Sequence, residues 1–164
     1  MEVALVGVTG KLGRYLHDRW ESEHRVHALG RAGMDLCDPA AVRRVLEESD
    51  FDVLVNCAAV ASPEGCEEFP EEAHLVNAES PGVMATVCRE KGARMVHFST
   101  DYVLEGSEPG LKDEAAPTGP VNHYGRTKLE GEQRVLAADP TAAVCRISWV
   151  FGTRPSGFLE AILN

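Results

Sequence analysis

At 164 residues with a formal charge of −10, the chain is long enough to bury one domain's core. Its charge has the wrong sign for a nucleic acid or an anionic lipid surface, either of which needs a basic face. Apolar residues at 44% and charged residues at 26% exclude a disordered or fibrous chain. The five cysteines (Cys37, Cys57, Cys66, Cys88 and Cys145) are odd in number and widely spaced, with no C-x-x-C. They suggest neither a zinc site nor a disulfide framework, and fit small apolar core residues of a reducing compartment. Glu2 stands where a secretory leader would be basic, and no apolar run reaches the roughly 20 residues of a membrane span. The expectation is a cytoplasmic protein.

In chain order, "VALVGV" (3–8) reads as a buried parallel strand. Leu12, Leu16 and Trp20 follow at helical spacing, and "RVHALG" reads as a second, shorter strand. "DPAAVRRVLEES" opens with Asp38 as N-cap and Pro39 at the first helical position, with Val42, Val45 and Leu46 on one face. "DVLVNCAAV" is a third strand. A helix is expected from about Glu79 to Lys91, with Val83, Ala85 and Val87 inward. "ARMVHFST" and "AAVCRISWVF" supply two more strands, around a Gly-, Pro- and acid-rich excursion from Leu104 to Pro120. The cluster Glu67, Glu68, Glu71 and Glu72 reads as a solvated loop or helix face. Strands alternating with helices predict an α/β fold, a Rossmann-like doubly wound parallel sheet with helices on both faces, spanning residues 1–164.

The first strand runs into "GVTGKLG", with Gly7, Gly10 and Gly13 three apart at the opening of a helix. Glycines there let the chain turn sharply and let a phosphate approach the amides of the helix N-terminus. A strand-to-helix turn without a ligand is the competing reading, and the loop's place after the first strand favours dinucleotide binding. After the second strand, where NAD sites often carry an acid, the chain has Gly30 and Arg31. A guanidinium suits a 2′-phosphate, so NADP(H) is preferred and NAD(H) remains admissible. A solvated loop charge is the alternative for Arg31. Asp35 and Leu36 follow where an acid could reach an adenine amine.

Tyr124 and Lys128 lie four apart in "HYGRTKLEGE", which puts both on one face of a helix. A free phenol titrates near 10 and is a poor acid at neutral pH, so an adjacent ammonium would favour its phenolate. Thr100 offers a hydroxyl that polarises a carbonyl without competing for the proton. Read blandly, Tyr124 is a half-buried aromatic and Lys128 a solvated charge paired with Glu132. The joint occurrence with Thr100 and the glycine loop disfavours that reading. The six histidines show no metal-ligand spacing, so no metal is assigned, and His97 reads as a satisfied core residue of its strand.

These pieces, with "MDLCDPAAV", "VNAESPGVMATVC", "VHFSTDYVLEG" and "CRISWVFG" in the same order along the chain, resemble the extended short-chain dehydrogenase/reductase family. Within it they resemble the dTDP-4-dehydrorhamnose reductases. The resemblance implies Tyr124 as proton donor, Lys128 on the nicotinamide ribose and Thr100 on the substrate carbonyl, with Asp101 and Tyr102 beside a nucleotide-sugar substrate. It implies a cofactor site from Gly7, Thr9, Gly10, Lys11, Leu12, Gly13, Arg31, Asp35 and Leu36. Cys57, Ala58, Ala59, Val60, Asn77, Ser99, Tyr124, Lys128 and Ser148–Val150, Trp149 among them, complete it. A homodimer is left open. Family chains are longer, so the region that grips the sugar nucleotide is expected to be absent from these 164 residues. Leu104 stands where the family usually has an aromatic, which loosens the substrate assignment. Two other readings stay open: a non-catalytic NADP-binding regulatory subunit similar to that of methionine adenosyltransferase, and a sugar-nucleotide epimerase or dehydratase.

Overall fold

A computed structural model describes residues 1–107 and 109–150. Five parallel strands form one sheet in the order β2-β1-β3-β4-β5: β1 Glu2–Val6, β2 Arg25–Leu29, β3 Val53–Asn56, β4 Arg94–Thr100 and β5 Ala143–Ile147. The strand order reverses between β1 and β3, whose registered pairs run from Val3–Val53 to Val6–Asn56. That reversal opens a crevice at the carboxyl ends of these strands, where such sheets take their ligands.

Alternate residues of β1 serve opposite cores, because each face of the sheet is covered. Ala4 and Val6 pack with Leu54, Met95, Val42, Leu46, Met84 and Val135 under α2 (Pro39–Glu47), α5 (Ser80–Lys91) and α6 (His123–Ala138). Val3, Leu5 and Val55 pack with Leu16 and Trp20 of α1 (Lys11–Trp20). The doubly wound architecture expected from the sequence is therefore present. The Asp38 carboxylate accepts from the Ala40 and Ala41 amides, as its N-cap position predicts.

Among the boundaries that differ from the sequence expectation, three concern elements around the crevice. β3 stops at Asn56, because Cys57–Val60 leave the ladder to line the crevice. β5 stops at Ile147, and Ser148–Val150, expected to continue it, are not strand; Phe151, its expected last residue, lies outside the described residues, as does the helix expected to begin in "SGFLEAILN". The central helix begins earlier than Glu79. Two short helices, α3 (Pro63–Glu68) and α4 (Pro70–His74), lead through a π-helical turn, Leu75–Glu79, directly into α5. Pro81 has no amide to donate and would crowd the carbonyl of Asn77 in a regular helix. The wider turn relieves this: the Ser80 amide reaches back five residues to the Leu75 carbonyl.

Candidate functional site

The crevice has two ends, joined at Cys57, Ala58 and Ala59. At the first, Gly7 sits at φ 84°, and a Cβ there would lie 2.7 Å from the Ala58 amide nitrogen. A Cβ on Gly13 would lie 2.3 Å from the Gly7 carbonyl oxygen. The loop is thus clamped between β3 and α1, and only glycine fits at either position. Gly10 is the N-cap of α1 and offers no side-chain bond to the first-turn amides, and it lines the crevice itself. A cleft of about 180 Å³ opens beside them, lined by Thr9, Gly10, Arg31, Asp35, Leu36 and Val60 among others. Arg31 is 87% exposed at its side chain, with Nη2 3.7 Å from the Glu72 carboxylate of α4. Asp35 accepts from the Cys37 amide at 2.9 Å, which fixes its carboxylate beside the cleft. Lys11 is exposed and lines neither end.

The second end is a cleft of about 330 Å³ that gathers Leu12, Ser99, Thr100, Asp101, Tyr102, Tyr124, Lys128, Ser148, Trp149 and Val150. β4 delivers Ser99 and Thr100, and a 3-10 turn, Asp101–Val103, follows at once. The Thr100 hydroxyl accepts from the Tyr102 amide and donates to the Asp101 carboxylate, each at 3.2 Å. Asn122 caps α6 by accepting from the Gly125 amide at 2.8 Å, which sets Tyr124 on the first turn. Its ring meets that of Tyr102 edge-on at 5.6 Å. Burial pushes the Tyr124 phenol above its usual range, while a hydrogen bond with Thr100 works against that shift. The depression expected from Lys128 is not what acts on the phenol here, because burial dominates.

Lys128 is 1% exposed. Its Nζ donates to the Phe98 carbonyl at 2.7 Å and lies 3.3 Å from His97 Nε2. Burial lowers its pKa to about 8, against the favourable pull of Glu132. Glu132 is itself buried and bound by Arg146 of β5 through three contacts of 2.7 to 3.2 Å. The pairing of Lys128 with Glu132 on a solvated surface, the bland alternative, is thereby replaced by a buried arrangement.

Asn77 ties the π turn to both neighbours. Its side chain accepts from the Val60 amide and donates to the Val60 carbonyl and to Thr127 of α6. It supports the crevice without lining it. Ser99 Oγ is buried and, among the described residues, has no protein partner. The sequence reading passed over Asn56, Thr127 and the Glu132–Arg146 pair, and took His97 only as core. Among the acidic cluster, Glu67 accepts from the His123 amide at 2.8 Å and Glu72 reaches Arg31, so two of the four brace the site. Outside the crevice, His17 and Asp18 of α1 and its C-cap residue Glu21 group their ligand-type atoms, half-buried to exposed. Among the described residues no helix is long and apolar enough to cross a membrane.

Residues 1–164 match the RmlD substrate binding domain family. A dTDP-4-dehydrorhamnose reductase of Mycolicibacterium smegmatis is 44% identical over 156 residues, covering 91% of this chain and 46% of that protein. The crystal structure of a dTDP-4-dehydrorhamnose reductase from Clostridium acetobutylicum superimposes with a TM-score of 0.93 at 30% identity, over 99% of this chain and 58% of that one. A Bacillus anthracis dTDP-4-dehydrorhamnose reductase solved in complex with NADP gives 0.91 at 28% identity, over 99% and 58%. The chain spans about half the length of the curated relatives it matches.

Proposed function

We propose a function for this chain from the premise that it belongs to the RmlD substrate binding domain family: NADP(H)-dependent reduction of a 4-keto sugar nucleotide of the dTDP-4-dehydrorhamnose kind. The observation that carries the reading is the meeting of Thr100, Tyr124 and Lys128 in one cleft, continuous through Cys57–Ala59 with the glycine loop. The naming of relatives as dTDP-4-dehydrorhamnose reductases, one of them in complex with NADP, supports it.

The residues fit the nucleotide. Uncapped amides at the start of α1, glycines with no room for a Cβ and a cationic Arg31 match a pyrophosphate and a 2′-phosphate. Ala58–Val60 and Ser148–Val150 would line its path, and Lys128 would meet the nicotinamide ribose. Bound there, reduced nicotinamide supplies the hydride. Tyr124 then gives its proton to the carbonyl oxygen, with Thr100 holding and polarising that oxygen. A raised phenol pKa keeps Tyr124 protonated, as a donor must be. Asp101 and Tyr102 stand at the sugar side of the cleft. In this reading residues 1–164 form the dinucleotide-binding domain.

In a polypeptide of the relatives' length that carries these 164 residues, Tyr124→Phe is expected to cut NADPH consumption with a dTDP-4-keto-6-deoxy sugar by about 100-fold or more. Unchanged turnover would sink the assignment. In this chain alone, nicotinamide fluorescence is expected to report tighter binding of NADPH than of NADH.

A further inference from the structure

We propose that His97, held by Asn56, is a positioning residue that turns the charged end of Lys128 out of the core and toward the cleft. The inference rests on the reading of Lys128 given above and deepens it.

His97 is fully buried on β4, and both of its ring nitrogens face a nitrogen. On one side Asn56 Nδ2 stands 3.1 Å from Nδ1. The orientation of Asn56 is fixed by its other end, since Oδ1 accepts from the Ala58 amide at 3.0 Å. An amide NH2 only donates, so Nδ1 must carry the lone pair. Burial, reinforced by the Lys128 charge, keeps the imidazole neutral, its pKa well below the usual value. A neutral ring with a lone pair on Nδ1 carries its single proton on Nε2. That proton points at Lys128 Nζ, 3.3 Å away.

Nε2–H can donate only to an unprotonated amine. Against an ammonium it is donor facing donor. When Lys128 takes up a proton, the acceptor its N–H groups find inside among the described residues is the Phe98 carbonyl, and the rest must turn toward the cleft that the lysine lines. Among the described residues, these titratable groups share its helix, contact it or line the same cleft. Tyr124 and Glu132 share its helix, the latter held by Arg146 of β5. His97 and Asp101 come from β4 and the turn after it, and the neutral Cys57 thiol comes from the end of β3, burial pushing its pKa up to about 12. Glu132 favours the ammonium, while His97 and burial oppose it. The string Ala58 amide–Asn56–His97–Lys128 therefore joins the loop that lines the crevice to the lysine at its far end.

Heteronuclear NMR on the 164-residue chain reads both halves of the proposal without turnover. The His97 imidazole nitrogens are expected to show a bare Nδ1 and a protonated Nε2 from about pH 6 to about pH 9. The side-chain signal of Lys128, identified by its loss in Lys128→Met, is expected to titrate near pH 8. In His97→Gln, whose amide oxygen can accept from the ammonium, that midpoint should rise by about one pH unit. A proton on Nδ1, or a midpoint that stays in place in His97→Gln, overturns the proposal. Should that variant not fold, the wild-type tautomer decides alone. Addition of NADPH separates the two readings: a Lys128 signal indifferent to the nucleotide defeats the functional reading and leaves the imidazole result standing.

Discussion

The two ends of the crevice are built from different material. The glycine-loop end is mostly backbone: Gly7 and Gly13 remove side chains so that α1 and β3 can close on the loop, and Gly10 makes no side-chain cap bond to the amides of α1. The far end is made of side chains, Thr100 from β4 and Tyr124 and Lys128 from α6, with the buried Glu132–Arg146 pair outside its lining. The first end tolerates almost no added atom. The second carries a buried charge that the fold would do better without. The glycines cost only backbone entropy, about 1 kcal/mol or less each, whereas a placed cation is a larger standing cost to stability.

Substitutions that reverse sign between the ends test this contrast. The largest effect is expected from Gly7→Ala, which forces a side chain into a left-handed φ and against the Ala58 amide. A loss of about 3 kcal/mol or more follows, read as a lower denaturation midpoint, with nucleotide binding lost as well. Next comes Lys128→Met, which should stabilise the chain. Lowering the lysine pKa from the ordinary 10.5 to about 8 corresponds to about 3 kcal/mol of destabilisation at pH 7. Losing the bond to the Phe98 carbonyl returns about 1 kcal/mol of that, leaving a net gain of about 2 kcal/mol. The sign follows from proton uptake. The folded lysine gives up its proton near 8 and the unfolded one near 10.5, so between these values unfolding takes up a proton. The wild type therefore gains stability as pH rises through that window, and the advantage of Lys128→Met shrinks across it. Denaturant midpoints at pH 7 and pH 10 measure this. A variant less stable than wild type at pH 7 would break the contrast.

Smaller effects belong to the rim of the glycine-loop end. Arg31→Ala should weaken NADPH about tenfold while leaving NADH binding and stability in place. Equal loss for both nucleotides would make Arg31 a general phosphate contact. The smallest effect is expected from Glu72→Ala. Removing an exposed partner at 3.7 Å frees Arg31, and NADPH affinity should rise about twofold or less. Fluorescence titration follows both variants.

The same contrast explains what could be read from the sequence. The glycine-loop end was legible because its information is local: "VALVGV" followed by glycines at a fixed spacing describes a strand, a turn and a helix start within eleven residues. Thr100, Tyr124 and Lys128 were legible as a set through their motif context, and the structure brings them to one cleft. The supports were not. His97 meets Asn56 across 41 positions and Lys128 across 31, and no periodicity predicts which buried strand residue lands beside which helix. A histidine inside an apolar run was the one available signal. The early start of the central helix was hidden for another reason. Pro81 reads as a helix beginning, and only the wider turn before it lets the helix run through.

That turn stores a phase. Each helical residue advances about 100° around the axis, so one extra residue in Leu75–Glu79 offsets everything before it by that angle relative to α5. The offset lets Asn77 face Val60 and Thr127 while Met84, Val87 and Cys88 still face the sheet. Deleting a single residue there would regularise the helix and misdirect its contents: either the core face or the brace beneath the crevice would point the wrong way.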